Sequence, residues 1–212
     1  MNQNLKLYGS PYSVYVRIVR LTLLEKQLPY CLKPIDIFGK NDLPLEYQAL
    51  HPFGKIPALV HNDVVLYETG AIARYLDEVF PGPDLFPSEP LARAKVNQII
   101  SIVDNYAYPA LVWGIYVPLN EQAGTVVDNP EIQRSIETAD RILKVLDEFL
   151  LNDGPLFCGH DISLADIYMA PVIDYFLRTD IGADKLSEAK NLENWWLNTK
   201  NRNGYHDILS DA

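Results

Sequence analysis

Alternating and helical spacings of apolar residues predict a mixed arrangement of strands and helices in the first part of the chain. A short apolar strand is predicted at residues 5–8, and an amphipathic helix follows at about 12–26. Residues 30–35 are predicted as a second strand. Residues 36–42 are polar and indicate a loop, and 43–50 indicate an irregular short helix.

The next stretch predicts two further strands and a helix. Residues 58–61 are a short apolar run, the pair at 62–63 is a two-residue hairpin signal, and 64–67 are the return strand. Thr69 is predicted as the N-cap of a helix, because its hydroxyl precedes apolar residues at helical spacing. Together these elements predict an α/β domain over residues 1–80.

A proline-rich linker then separates two regions of different pattern. Residues 81–90 contain four prolines, which neither continue a helix nor fit inside a sheet. After the linker no alternating apolar pattern occurs. A long helix is predicted at 91–113 with a kink near Pro109, and a loop is predicted at 118–129.

The rest of the chain carries helical signals only. Pro130 begins a helix with a continuous apolar stripe. Ser163 and Asp166 have the spacing of a capping box, so Asp166 is interpreted as structural rather than catalytic. A last helix is predicted around 191–199, and residues 91–212 are predicted as an all-helical domain.

Composition excludes several classes of protein. No apolar run reaches the roughly 18 residues that a membrane span needs, and the N-terminus lacks the apolar core of a secretory signal, so a cytoplasmic protein is expected. Cys31 and Cys158 lie far apart, which argues against a disulfide framework or a metal cluster. A net charge of −10 argues against a nucleic-acid partner.

Two features of residues 56–69 indicate chemistry. Pro57 directly precedes a strand, where a trans proline fits poorly, so a cis Ile56–Pro57 bond is predicted that presents the Ile56 backbone outward. Glu68 and Thr69 stand at a strand-to-helix junction. Free N–H groups at a helix N-terminus bind carboxylates, and a neighbouring carboxylate side chain binds an ammonium group. The junction therefore suits the head group of an amino acid.

These residues resemble a known family. The run Lys55-Ile56-Pro57-Ala58-Leu59, followed by Glu68-Thr69-Gly70-Ala71-Ile72-Ala73-Arg74-Tyr75-Leu76, is similar to the glutathione-binding half of the cytosolic glutathione transferases. Thr69 stands where the family usually has serine and keeps the hydroxyl. The resemblance covers nearly the whole chain and points to serine-type, bacterial-like members. It implies a thioredoxin-like first domain, a helical domain forming the second-substrate site, glutathione as co-substrate, a homodimer and a role in detoxification.

The resemblance makes Ser10 the leading catalytic candidate. A free thiol has a pKa of about 8.5, and a hydroxyl that donates to sulfur beside a helix N-terminus favours the thiolate. Ser10-Pro11 is also an ordinary N-cap with proline at the first helical position. Tyr8 and Ser13 compete with Ser10, because other classes of the family use a tyrosine near the end of the first strand. Ser13 suits a cap or the solvated face of the helix better than the thiol site, and Tyr8 equally suits the core.

Further ligand-binding residues follow from the same resemblance. Lys55, with Ile56 and Pro57, matches a family position that contacts glutathione, and His51 could reach the glycine carboxylate. The alternative for these two charged side chains is plain surface charge. Asp104 resembles an acidic position that in some classes reaches the glutathione of the neighbouring subunit, although a solvated helix face explains it equally well.

Aromatic residues mark a candidate pocket for the electrophile. The candidates are Tyr12, Tyr108, Trp113 and Tyr116, and the last three lie where Pro109 makes the helix irregular. A stripe of aromatic residues on a helix is also typical of a core.

Two rival functions remain open at this point. One is a glutathione-dependent cis-trans isomerase of the same fold, which typically carries a Ser-Ser-Cys run where this chain has Ser10-Pro11-Tyr12-Ser13. The other is a non-enzymatic binding or scaffold protein. The electrophile itself is not specified by the sequence.

Overall fold

The computed structural model describes residues 4–39, 43–121 and 129–211. The chain forms two compact units: one runs to Leu85 and also takes in the chain from Gly204 onward, and the other spans Phe86–Asn203. The strands are β1 Leu5–Tyr8, β2 Cys31–Lys33, β3 Ala58–His61 and β4 Val64–Tyr67. The α-helices are α1 Val14–Glu25, α2 Leu45–Leu50, α3 Thr69–Val79, α4 Pro90–Ile102, α5 Val117–Glu121, α6 Pro130–Asp153, α7 Leu164–Phe176, α8 Asp180–Glu188, α9 Lys190–Lys200 and α10 Tyr205–Ser210.

The first unit is built on a four-stranded mixed sheet of order β2-β1-β3-β4. Strand β1 runs parallel to β2 and antiparallel to β3, so that Leu7 lies between Leu32 and Leu59. Inward side chains of β1 and β3 pack with the apolar faces of α1 and α3 into one buried core. The predicted α/β class and the bounds of β3 and β4 are confirmed, while β2 is shorter than predicted.

The C-terminal helix α10 was not predicted, and the prediction that the chain ends with the helix at 191–199 is wrong. Helix α10 packs against α1 within the first unit. The turn before it places Gly204 at φ 78, with Leu24 only 3.0 Å from the position of a Cβ atom. A side chain at residue 204 would be both strained and crowded, so glycine is required here. Residues 204–211 thus belong to the first unit, although the sequence placed them in the helical domain.

The long elements of the second unit are all helices within its described residues, and an isolated bridge between Leu156 and Gly159 lies in the loop after α6. Helix α4 continues into a π-helical segment, Val103–Tyr116, which leads directly into α5. Pro109 lies inside this segment and lacks an N–H to donate, which disfavours regular α-helix. Residues 118–121, predicted as loop, are therefore helical, and residues 122–128 of that predicted loop lie outside the described residues.

Helix α7 is the buried centre of the second unit, and the predicted capping box starts it. Asp166 is fully buried and accepts hydrogen bonds from the backbone and hydroxyl of Ser163, from the Phe157 backbone and from Trp195 Nε1. This carboxylate joins the cap, the preceding loop and α9, which confirms its structural role. None of the described helices combines the length and apolarity needed to cross a membrane.

Candidate functional site

A tight turn between β1 and α1 carries the predicted catalytic residue. Gly9 approaches α1 so closely that an added Cβ atom would lie 2.4 Å from Val16 Cγ2. The Gly9 N–H donates to the Lys33 carbonyl at 3.0 Å, and the Ser13 N–H donates to the Ser10 carbonyl at 3.0 Å. These bonds fix the path of residues 9–13 at the C-terminal end of β1.

The two serines of this turn have different surroundings. Ser10 is buried, and its hydroxyl donates to the Ile35 carbonyl at 2.5 Å. Ser13 is half-buried and is the N-cap of α1, where its Oγ accepts from the Val16 N–H at 3.4 Å. The alternative role of Ser10 as the N-cap is therefore wrong, and the capping role of Ser13 is confirmed. Helix α1 accordingly begins two residues later than predicted.

The neighbouring tyrosines are engaged with other side chains. The Tyr8 ring packs against Tyr47 with 6.0 Å between ring centroids, as its alternative role in the core requires. The Tyr12 hydroxyl donates to Asp36 Oδ1 at 2.8 Å, and its ring lies 6.1 Å from Phe38. Burial and this acidic partner raise the pKa of Tyr12, so its hydroxyl stays protonated near neutral pH.

The start of α3 differs by one residue from the prediction. Glu68 occupies the N-cap position and Thr69 is the first helical residue, so the prediction of Thr69 as N-cap is wrong. Glu68 has φ 70 and ψ 115, a strained backbone for a residue with a side chain. Its side chain makes no capping hydrogen bond and is exposed, whereas Thr69 is buried. The helix N-terminus thus presents backbone N–H groups beside an exposed carboxylate.

His51 and Lys55 lie near this junction. The Ile56–Pro57 peptide bond is cis, as predicted. His51 is only 3% exposed, so its alternative reading as surface charge is wrong, and its ring lies 5.0 Å from that of Tyr67. Burial lowers the pKa of His51, although the negative charge of Glu68 opposes this change. The buried Nδ1 has no hydrogen-bond partner among the described residues.

The side chain of Lys55 is exposed. Its backbone carbonyl accepts a hydrogen bond from the Tyr47 hydroxyl at 2.5 Å, which fixes the loop before β3. Sequence reasoning missed this role of Tyr47, because the residue is one of several aromatic positions in a segment of weak helical pattern.

The predicted electrophile residues of the second unit form two aromatic pairs. Tyr108 and Trp113 meet edge to face at 6.4 Å, and Trp113 is 46% exposed. Tyr116 packs on Tyr175 at 4.7 Å and is half-buried. Asp104 is exposed on the same π-helical segment. The partial exposure of these aromatic side chains is compatible with both predicted roles, as part of a core and as the wall of a pocket.

Among the described residues, no group of three His, Cys, Asp or Glu side chains has the arrangement of a metal site. The groups that the structure places near the N-termini of α1 and α3 are hydroxyls, carboxylates, a buried imidazole and backbone N–H groups. Hydroxyls and N–H groups at a helix N-terminus are groups that can bind a carboxylate and stabilise a negative charge.

Comparison with known proteins defines the class of fold and site. The family model of the glutathione S-transferase N-terminal domain matches residues 7–84, and that of the C-terminal domain matches 111–203. Glutathione transferase F7 of Populus trichocarpa has a similar structure, with a TM-score of 0.82, 28% identity and 98% of each chain covered.

Curated relatives agree with this class. Glutathione S-transferase F13 of Arabidopsis thaliana is 30% identical over 199 residues, which cover 91% of this chain and 89% of the relative. Glutathione S-transferase Z1 of the same plant is 32% identical over 176 residues, covering 81% and 76%. The chain belongs to the glutathione S-transferase family, and these relatives support glutathione transferase as its enzymatic activity.

Proposed function

We propose that the chain uses glutathione as co-substrate and attacks a small electrophile with the glutathione thiolate. The sulfur forms a bond to an electrophilic carbon; a halide leaves as its anion, an opened epoxide takes up a proton on oxygen, and an isothiocyanate takes up a proton on nitrogen. Family membership supports this reaction, as do the N-termini of α1 and α3 in the first unit. The serine-type, bacterial-like subclass expected from the sequence is part of the proposal.

The γ-glutamyl end of glutathione is proposed to bind at the start of α3. The exposed Glu68 carboxylate suits the ammonium group, and the Thr69 hydroxyl and the first N–H groups of α3 suit the carboxylate. Strained backbone persists in proteins where the surroundings impose it, often at ligand sites. The positive φ of Glu68 is consistent with such a role.

The other end of the tripeptide is proposed to bind near the loop before β3. Lys55 is exposed and cationic, and the glycine carboxylate of glutathione is its natural partner. The buried His51 supports the strand end that carries Glu68, since its ring packs on Tyr67. Ile56 and Pro57 complete the proposed set around the cysteinyl part.

A hydroxyl of the turn between β1 and α1 is proposed to stabilise the thiolate. Ser10 was the candidate from sequence, but its proton is donated to Ile35. The Ser13 hydroxyl accepts from Val16, and no donation to another residue within the described ranges occupies its proton. Ser13 also stands at the N-terminus of α1, where the helix dipole favours an anion. We therefore propose Ser13 ahead of Ser10 as the donor to sulfur.

The electrophile is proposed to bind aromatic side chains. In the second unit, Trp113 exposes nearly half of its surface beside Tyr108, and Tyr116 is half-buried. Tyr12 is the corresponding candidate of the first unit. Aromatic walls suit apolar or aromatic electrophiles. A homodimer, in which Asp104 reaches the partner's glutathione, and a cytoplasmic role in detoxification complete the proposal.

The observation that carries the proposal is the pairing of an exposed Glu68 carboxylate with the free N-terminus of α3. The test is a turnover screen with glutathione and a panel of aryl halides, epoxides, isothiocyanates and cis-enone acids. Conjugate formation with any member of the first three groups supports transfer. Glutathione binding without turnover on any of them would favour a binding protein, and conversion of the enone alone would favour an isomerase.

A further inference from the structure

Arg17 links the turn that carries both serines to the C-terminal end of the chain. The residue lies on α1 and its side chain is completely buried. Its Nε donates to the Pro11 carbonyl at 2.9 Å, and a terminal nitrogen donates to the backbone carbonyl of Asp211. Pro11 follows Ser10 directly and stands two residues before Ser13.

The C-terminal segment is well anchored where Arg17 meets it. Helix α10 buries three of its side chains in the first unit, those of Tyr205, Ile208 and Leu209. One helical turn after Arg17, Arg20 forms an ion pair with Asp211 Oδ2 at 2.8 Å. The Nε of Arg20 donates to the Tyr30 hydroxyl at 3.0 Å, and Arg20 makes no hydrogen bond to Pro11 among the described residues.

We propose that Arg17 is a positioning residue for the thiol site: it clamps the Pro11 carbonyl to the C-terminal segment and so holds the serine hydroxyls in register with the α1 N-terminus. The planar guanidinium has several donors at fixed angles and joins two carbonyls at once. A Pro11 carbonyl released from this bond would let the turn shift. Hydrogen bonds to a thiolate weaken steeply with misalignment, so a small shift matters.

This inference rests on the proposed glutathione chemistry, and its test uses two arginines of one helix. Arg17→Gln removes the bonds to the Pro11 and Asp211 carbonyls, whereas Arg20→Gln removes the ion pair to Asp211 and the bond to the Tyr30 hydroxyl and leaves Pro11 bound. The readout is the pKa of enzyme-bound glutathione, followed by the ultraviolet absorbance of the thiolate. Arg17→Gln should raise this pKa by about 0.5 to 1 unit, a roughly three- to ten-fold loss of thiolate near neutrality. Arg20→Gln should leave it unchanged while lowering thermal stability.

A second pair of variants keeps the test decisive if Arg17→Gln does not fold. A chain ending at Ser210 lacks the Asp211 carbonyl that Arg17 contacts, whereas Asp211→Asn keeps that carbonyl and removes only the charge. The truncated chain should raise the pKa of bound glutathione, and Asp211→Asn should retain the wild-type value. Glutathione affinity should change less than about twofold in every variant, because the ends of the tripeptide bind elsewhere.

Two results separate failure of the inference from failure of the proposed function. A wild-type enzyme that binds no glutathione, or binds it without lowering the thiol pKa, contradicts the proposed function before any variant is compared. A lowered pKa in the wild type that is equal in Arg17→Gln and Arg20→Gln, or equal in the truncated chain and Asp211→Asn, overturns the positioning role alone.

Discussion

Separate replacement of the two serines in the β1–α1 turn should affect different quantities: the pKa of bound glutathione for Ser13, and the stability of the fold for Ser10. Ser13→Ala removes the proposed donor to sulfur. A hydrogen bond to a charged group contributes about 1.5 to 3 kcal/mol, which corresponds to roughly one to two pKa units of the bound thiol. At pH values below the pKa of glutathione bound to the wild-type enzyme, kcat/KM for the electrophile should fall about ten- to one-hundred-fold in Ser13→Ala. The lost cap at Val16 should cost about 0.5 to 1 kcal/mol of stability, since that bond is long at 3.4 Å.

Ser10→Ala should instead act on the fold. Its hydroxyl is the donor to the Ile35 carbonyl, and Ile35 is buried. An unpaired buried carbonyl costs about 1 to 3 kcal/mol. For a chain of this size each kcal/mol lowers the melting temperature by about 2 to 4 °C. The pKa of bound glutathione should stay near the wild-type value.

The assay is the pH profile of kcat/KM for one electrophile at saturating glutathione, which reports the thiol pKa of the enzyme–glutathione complex, together with a thermal melt of each variant. Tyr8→Phe serves as the control and should leave the midpoint of the pH profile at the wild-type value. If Ser10→Ala moves the midpoint upward and Ser13→Ala does not, the sequence candidate Ser10 is the donor and the assignment to Ser13 is wrong. If neither variant moves it, backbone N–H groups carry the stabilisation.

Three further changes test other parts of the structure. Glu68→Gly should weaken glutathione binding about 5- to 150-fold by calorimetry, yet not lower stability, because removing Cβ relieves strain at φ 70. His51→Gln should flatten the dependence of unfolding free energy on pH. Burial lowers the pKa of His51, so its stabilising contribution is present above about pH 6.5 and is lost as pH falls. Asp166→Ala should lose about 3 to 5 kcal/mol in urea unfolding, because four donors lose their acceptor.

Each of these expectations has a result that contradicts it. Glu68→Ala is the control for strain, since it keeps Cβ; equal stability of the glycine and alanine variants would remove the strain argument. His61→Gln is the matched histidine control, and a pH dependence that disappears in this variant instead would assign the titration elsewhere. An Asp166→Ala variant as stable as the wild type would show that the buried carboxylate is dispensable.

Sequence reasoning located the hairpin and the strand-to-helix junction well. Strands β3 and β4 are bounded by a two-residue turn and a proline, which are local signals. The strand-to-helix junction at Glu68 and Thr69 was predicted from local signals as well. The capping box at Ser163 was equally readable, because its two members lie three residues apart.

Other features depend on contacts that are distant in the chain. The proton of Ser10 is directed by Ile35, 25 residues away, so the difference between the two serines was not readable locally. Helix α10 has six residues, too few for a periodic signal, and it is held by Arg17 and Arg20 from nearly 200 positions earlier. The backbone of Glu68 is strained against its own propensity, and such positions are set by tertiary structure.

The proposed chemistry requires that the wild-type chain binds glutathione and stabilises its thiolate. The most direct measurement is a pH titration of the thiolate absorbance of glutathione bound to the wild-type enzyme, compared with free glutathione in the same buffer. A midpoint about one to two pH units below that of the free tripeptide is expected. A midpoint equal to that of free glutathione, at saturating enzyme, would contradict it.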